Sequence, residues 1–422
     1  MSEDGPTDIV SVAGSFDPDE LPPPPPPPRR RRGPRVLLIS VRVLIGLFSA
    51  AVLAATALVD VKVDQLQDSV NTTDALAEAQ EQADAPAVDD GANDILIVGS
   101  DTRTDLQGNP LPLKLLKELR TEATETLNTD TLILVRFPRN GAKGYAVSIP
   151  RDTYVPVPNW REEKINGAFG VTKARAAEDM VRAGEKDRKK IERDSDSAGR
   201  SALIGAVQGL TGVRIDHYAE ITLYGFYLLT KAIDGVEVCL KQATSDTDSG
   251  ANFRRGTQTV RGADAVSFVR QRNNLPRGDL DRIVRQQVFL SSAINKVLSG
   301  GMLTDTGKLN ELSDAVSKTV VMDPGLHFLD LVNQAQALAS GAVEFVTIPV
   351  TGVGARNDRG QSIITVDIPA VHSYIAQLIS GARPPMPSPV VPPTGPPGLR
   401  GPQPLALNGS AVARAAAVPC ID

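Results

Sequence analysis

The chain has 422 residues, 41% of them hydrophobic and 23% charged, with a formal net charge of −5. Length of this order allows two or three domains, and the acidic total argues against general nucleic-acid affinity, which needs a net basic surface. Its two cysteines (Cys239, Cys420) and three histidines (His217, His327, His372) show no zinc-site spacing, and no GxSxG elbow is present, which argues against a serine or cysteine hydrolase.

Residues 1–33 are polar and carry an unbroken run of seven prolines, Pro22 to Pro28, then Arg29 to Arg32. They predict an extended, disordered segment. Residues 34–59 hold the apolar run Val36 to Val59, long enough to span a bilayer, with Arg42 placed to snorkel. The basic block before it predicts a single-pass protein with a cytoplasmic N-terminus and everything after Asp60 extracytoplasmic. A cleaved signal peptide, with Ala55-Thr56-Ala57 as its small-residue site, is the competing reading. Residues 60–90, rich in Ala, Gln and Asp, predict a stalk.

The folded domain is expected over 91–382. Strand-type runs are Asp94–Gly99, Thr131–Phe137, Gly144–Ile149, Gly235–Leu240, Val343–Val350 and Ser362–Val366. Helical stretches are Ala174–Gly209, Tyr224–Ile233, Ala263–Val269, Asp279–Leu298 and Phe328–Ala339. The alternation predicts an α/β fold, a central mixed β-sheet with helices on both faces. Residues 383–422 turn to Pro and Gly and predict a disordered tail. Outside the cytoplasm Cys239 and Cys420 could pair, and free thiols fit equally well.

Asp101 follows the first strand directly, and Asp130 stands just before the second. If those strands run antiparallel the two carboxylates share one site, a hard-cation arrangement suited to Mg²⁺. SDT and TDT are also common turn chemistry. Pro150 forces an exit from the third strand and delivers Arg151 and Asp152 to the same edge. Lys164 and Asn166 stand before a helix start.

The window Arg270 to Gln287 holds five arginines (Arg270, Arg272, Arg277, Arg282, Arg285) and no lysine. Arginine grips phosphate oxygens bidentately, where lysine offers a point charge. Asp279 is placed as an N-cap for a helix with Leu280, Ile283, Val284, Leu290, Ile294 and Leu298 on one face. Arg282 and Gln286, about 40° apart, flank that stripe. A solvated basic face is the bland alternative. Residues two apart share a side only in extended chain, so joint use of Arg270 and Arg272 requires the preceding helix to end near Arg270.

In order along the chain, GSDTR, TDT before an apolar strand, SIPRDTYV, KINGAFG, IDHYAEI, DGVEV, AVSFVRQR and LPRGDLDRIVRQQ resemble the LytR-CpsA-Psr family. The likeness runs from about Asp94 to Leu298, and less distinctly to about Ile379. It implies a membrane-anchored, Mg²⁺-dependent phosphotransferase acting outside the cytoplasm. Such an enzyme moves an anionic glycopolymer from a polyprenyl-pyrophosphate carrier onto a muramic acid hydroxyl of peptidoglycan. The implied metal ligands are Asp101 and Asp130, and the implied catalytic residues are Asp101, Arg151 and Arg282. Arg103, Arg151, Arg270, Arg272, Arg282 and Gln286 match pyrophosphate contacts, with Asp152, Lys164 and Asn166 as further candidate substrate contacts.

A lipid carrier needs an apolar slot, for which Phe226, Tyr227 and Leu228 are candidates, though plain core explains each as well. A pyrophosphatase releasing its product to water is the first alternative function. A non-enzymatic protein binding carrier lipid or wall polymer is the second. Two stretches depart from the family pattern: Leu106 to Leu127, which is long, and Lys173 to Arg200, so charged that it predicts an exposed helical excursion. Both leave acceptor specificity open.

Overall fold

The computed structural model describes residues 70–82, 84–87, 91–106, 109–121, 127–139, 142–276, 278–299, 306–327, 343–379 and 418–422. The apolar run Val36 to Val59, the segment before it and the expected helix Phe328–Ala339 lie outside them. No helix among the described residues is long and apolar enough to cross a membrane.

Seven strands form the central sheet: β1 (Asn71–Thr72), β2 (Ala92–Ser100), β3 (Thr129–Pro138), β4 (Gly144–Ser148), β5 (His217–Thr222), β6 (Val320–Met322) and β7 (Val343–Thr347). Their spatial order is β1-β6-β5-β2-β3-β4-β7. β2 runs antiparallel to β3 and parallel to β5, so the sheet is mixed.

Side chains alternate across a strand, and β2 shows both outcomes. Leu96 and Val98 enter one core with Leu203, Val207 and Val371, while Ile95 enters the other with Phe268, Phe289 and Val316. The first core is covered by α1 (Ala75–Gln80), α3 (Ala168–Arg182), α4 (Arg188–Thr211) and α9 (Ile368–Ile379). The second is covered by α5 (Leu223–Ala232), α6 (Ala263–Arg270), α7 (Asp279–Ser299) and α8 (Thr306–Thr319). A short helix, α2 (Leu113–Glu118), lies between β2 and β3. The fold is a three-layer α/β/α arrangement.

Several expectations are corrected. Part of the expected stalk, 60–90, packs into the folded domain: β1 pairs with β6, and the helix α1 buries Ala75, Leu76 and Ala79. Alanines four apart lie on one helix face and permit close backbone approach, an effect the polar composition of the segment conceals. The tail is not disordered to its end. Cys420–Ile421 forms a strand parallel to Val236–Leu240, and Cys420 is disulfide-bonded to Cys239.

Val236–Leu240 itself belongs to a separate three-stranded sheet, and Ser362–Thr365 to a two-stranded ribbon. The single helix expected over Ala174–Gly209 is a hairpin. Gly184 turns the chain with φ +91°, and Asp187 caps α4 by accepting from the amides of Lys189 and Lys190. The tip of this excursion is exposed as expected, but Lys173 and Arg200 turn inward at its base.

Candidate functional site

β2 and β3 run antiparallel with Ser100 opposite Thr129, and the Asp101 amide donates to the Asn128 carbonyl at 2.8 Å. Asp101 and Asp130 therefore arrive together at one edge, as the shared-site reading requires. The strand ends close tightly because Gly99 carries no side chain: a Cβ there would stand 3.0 Å from Thr131 Cβ.

Asp130 Oδ1 accepts from Arg151 Nη1 at 2.8 Å. Burial pushes its carboxyl pKa up, but the guanidiniums of Arg151, Arg282 and Arg270 together bring it below the usual carboxylate range. Asp101 Oδ2 accepts from Arg103 Nη2 at 3.2 Å, while its Oδ1 is buried and makes no hydrogen bond.

Arg151 sits in the turn that follows β4. The Asn166 amide donates to the Arg151 carbonyl at 3.1 Å, and the Asn166 carbonyl accepts from Thr129 Oγ1 at 3.4 Å. Lys164 Nζ binds Asp152 Oδ1 at 2.9 Å, and Asp152 lies 3.7 Å from Arg151 Nε. Asp152, Lys164 and Asn166 thus brace Arg151 and do not line the cavity beside it.

α6 ends at Arg270, since Gln271 has φ −56° and ψ 132°, so Arg272 stands outside the helix. Both arginines line the cavity. Between them the buried Gln271 accepts from Arg285 Nη1 at 2.7 Å and donates to Thr244 Oγ1 at 2.6 Å. Arg285 is fully buried and also donates to the Asp422 carbonyl at 2.8 Å, which makes it a brace for the Arg270–Arg272 segment. Arg277 lies outside the described residues. The helix carrying Arg282 begins at Asp279, so Asp279 is its first residue and not its cap.

The cavity measures about 330 Å³. Asp101, Asp130, Arg151, Arg270, Arg272, Arg282 and Gln286, all anticipated from the sequence, stand in its polar part. Arg103 reaches it through Asp101, and its Nη1 donates to the Thr121 carbonyl. Ile97, Ile133, Leu229, Phe289 and Leu290 form an apolar part of the same cavity.

Of the apolar-slot candidates Phe226 lines the cavity, whereas Tyr227 and Leu228 do not. Consecutive residues diverge by 100° on a helix, and the lining set on α5 is instead Leu223, Phe226, Leu229 and Thr230, with Ile233 just past its end. Sequence reasoning also missed Asp246, Asp248, Ser249 and Asn273. Asp246 Oδ1 accepts from Asn273 Nδ2 at 3.2 Å, and both residues line the cavity beside Arg272. Only the turn-forming run Asp246 to Gly250 hinted at them.

Among the described residues no group of three or more His, Cys, Asp or Glu gathers for a metal. Mg²⁺ commonly takes one or two carboxylates and completes its shell with water and substrate phosphate. The Asp101–Asp130 pair, with the buried and unsatisfied Asp101 Oδ1, fits that demand.

The chain is 48% identical over 295 residues to the cell wall biosynthesis protein LcpA of Corynebacterium glutamicum, covering 70% of this chain and 57% of that one. It is 31% identical over 198 residues to the polyisoprenyl-teichoic acid–peptidoglycan teichoic acid transferase TagU of Oceanobacillus iheyensis, covering 46% and 54%. The chain thus spans about half the length of these curated relatives. Among solved structures it aligns with B. subtilis TagV at TM-score 0.46 and 19% identity, covering 70% of this chain and 98% of that one. For the LytR-Csp2A-Psr enzyme from Actinomyces oris the values are 0.46 and 16%, covering 68% and 89%. The LytR_cpsA_psr family model matches residues 59–379, about three quarters of the sequence, and by that match the chain belongs to the LytR-CpsA-Psr family.

Proposed function

We propose that the protein is a phosphotransferase that attaches an anionic glycopolymer, carried on polyprenyl pyrophosphate, to peptidoglycan. The observation that carries this reading is the two-part cavity. Four guanidiniums and four carboxylates, the Asp101–Asp130 pair among them, line its polar part, and aliphatic and aromatic side chains line the rest. A diphosphate esterified to a long hydrocarbon has the same two parts. The names of the relatives, a cell wall biosynthesis protein and a teichoic acid transferase, support the substrate class. The bonded Cys239–Cys420 pair supports an oxidising compartment, hence a domain outside the cytoplasm behind the apolar run at Val36 to Val59.

Phosphoryl transfer needs positioning and charge neutralisation more than covalent help from the protein. Arg151, Arg270, Arg272 and Arg282 bind the diphosphate and orient it. Asp101 and Asp130 would hold Mg²⁺, which when bound offsets negative charge on the phosphates. Asp130 stays ionised beside Arg151 and is ready for that role. The acceptor hydroxyl oxygen bonds to the glycopolymer-side phosphorus as the bridging P–O bond breaks. The electron pair leaves with polyprenyl phosphate, and the hydroxyl proton passes to buffer.

The test uses full-length protein with a polyprenyl-pyrophosphate-linked glycopolymer, Mg²⁺ and peptidoglycan. A phosphodiester-linked product and free polyprenyl phosphate are expected. Phosphorylated glycan released to water, even with acceptor present, would identify a pyrophosphatase. Binding without turnover would identify a non-enzymatic protein.

A further inference from the structure

Glu220 is a buried charge that the transfer chemistry above does not use. It lies in β5, 1% exposed, next to the strand that delivers Asp101. Ser100 Oγ donates to its Oε1 at 2.6 Å, while Arg200 Nε at 2.7 Å and Tyr218 OH at 3.1 Å donate to its Oε2. Burial pushes its carboxyl pKa up, and Arg200, Ser100 and Tyr218 together bring it below the usual carboxylate range. A buried ion pair is a weak source of stability, because both charges must leave water to form it. What distinguishes this one is its contact with Ser100, the residue just before Asp101.

Between β2 and β3, Gly99 pairs with Thr131 and Ser100 with Thr129, so Asp130 is the extra residue of a β-bulge. A bulge bends its strand and re-aims a side chain. Here the bulged residue is one of the two carboxylates, and it lines the cavity together with Asp101. On its other side β2 keeps a regular parallel register with β5, Gly99 opposite Ile221 and Ser100 opposite Thr222. The slip is therefore carried by β3. Val98 stands opposite Glu220 in that register, so Ser100 and Glu220 share one face of the sheet. Their hydrogen bond clamps the last residue of β2 to β5. Behind Glu220, Arg200 belongs to α4 at the base of the charged excursion, where Lys173 Nζ of α3 holds Asp196 at 2.7 Å.

We propose that Glu220 is a positioning residue for the carboxylate pair. Held by Arg200, it fixes the end of β2 through Ser100, so that the β3 bulge sets the spacing of Asp101 and Asp130. Asp101 Oδ1 is buried and makes no hydrogen bond, so placement of the backbone at the strand end decides where that oxygen stands. This rests on the transferase reading above for the use of the pair, which is to hold Mg²⁺.

The experiment uses full-length protein in detergent. Ser100→Ala deletes the hydroxyl and leaves Glu220 with Arg200 and Tyr218, and Ser100→Thr puts a hydroxyl back. The double variant Arg200→Met/Glu220→Leu removes both charges together, so that neither is left buried and unpaired. Amide hydrogen exchange is followed across Gly99 to Arg103 in metal-free protein, where the Asp101 amide donates to the Asn128 carbonyl at 2.8 Å. The Mg²⁺ concentration for half-maximal transfer is measured with the polyprenyl-linked donor. Ser100→Ala and the double variant should each exchange about tenfold faster in that segment and need about tenfold more Mg²⁺, the size of one lost charged hydrogen bond. Donor KM and melting temperature should stay close to wild type, and Ser100→Thr should behave as wild type. Wild-type exchange and Mg²⁺ requirement in Ser100→Ala would overturn the proposal. So would losses that Ser100→Thr does not restore, or that raise donor KM in proportion. If the double variant does not fold, the two Ser100 variants decide. If wild type consumes no donor at any Mg²⁺ concentration the transferase reading fails, and exchange alone decides the positioning role.

Discussion

Arg151 Nη1 lies 2.8 Å from Asp130 Oδ1, joining the turn after β4 to the first residues of β3. The pair holds a cation and an anion side by side at the point where a diphosphate and a divalent ion would meet. It also sets the protonation of Asp130. Burial works against ionisation, and the three guanidiniums of Arg151, Arg282 and Arg270 outweigh it.

The pH dependence of stability follows from that balance. A carboxylate whose folded pKa lies below its unfolded value adds stability that is complete above the unfolded pKa, about 3.9, and is lost as pH falls through the folded value. Asp130→Asn removes this contribution. As pH falls through about 4 and below, its melting temperature should fall less steeply than that of wild type, and Mg²⁺-dependent transfer should be abolished at every pH. Parallel acid limbs in thermal scans of the two proteins would count against the pairing.

Arg282 is 3% exposed and shares its cavity with Gln286 one turn later. Lysine keeps the charge and loses the bidentate fork. Arg282→Lys should therefore cost transfer about 1.5–3 kcal/mol, the range of a charged hydrogen bond, or roughly tenfold to a hundredfold in rate. Rates for wild type, Arg282→Lys and Arg282→Ala at two salt concentrations check this. A lysine variant with wild-type activity would reject the fork.

Leu229 projects into the apolar part of the cavity, one turn from Phe226 on α5. Leu229→Asn places an amide where a hydrocarbon chain would lie. It should raise KM for a long-chain donor by about tenfold, the effect of burying one unpaired polar group. A donor cut back to a few carbons should be unaffected. Equal losses for both donors would indicate damaged packing and not a lipid slot.

The Cys239–Cys420 bond closes a separation of 181 residues and ties the Asp422 carbonyl to Arg285. Its loss frees the unfolded chain and loosens the C-terminal strand at once. Cys420→Ser should lower stability by about 2–5 kcal/mol, read as a lower midpoint in urea. Reduction of wild type should reproduce the shift. A midpoint insensitive to both would show that the bond adds nothing.

The sequence made some of this geometry legible and hid the rest. Asp101 and Asp130 each abut an apolar run, so the sequence could pair them on the condition that the two strands run antiparallel, which the sheet supplies. The end of α6 at Arg270 followed from requiring two arginines on one side. The strand next to β2 was missed, although its residues were among the family motifs. β5 reads His-Tyr-Ala-Glu-Ile-Thr, and the acid at its centre breaks the apolar pattern. Glu220 is buried because Ser100 Oγ donates to it at 2.6 Å, Arg200 Nε at 2.7 Å and Tyr218 OH at 3.1 Å. Those partners keep its carboxyl ionised against burial, and they come from residues 20 to 120 positions away, except Tyr218.

What the sequence determined by itself was local: residue type at strand ends, the period of each helix, and the order of motifs that marks the family. Those depend on neighbours within a few positions, where backbone geometry is nearly fixed. Only the tertiary structure decided that Arg285 braces while Arg282 faces the cavity, although the two stand three residues apart on one helix. The difference arises because Gln271 and Asp422 reach Arg285 from distant parts of the chain. In the same way Leu106 and Asn109 share one cavity with Lys173, Glu192 and Asp196 only because the tertiary fold brings the turn after β2 beside the α3–α4 hairpin. Burial and charge balance are sums over every nearby atom, and sequence distance carries no information about which atoms those are.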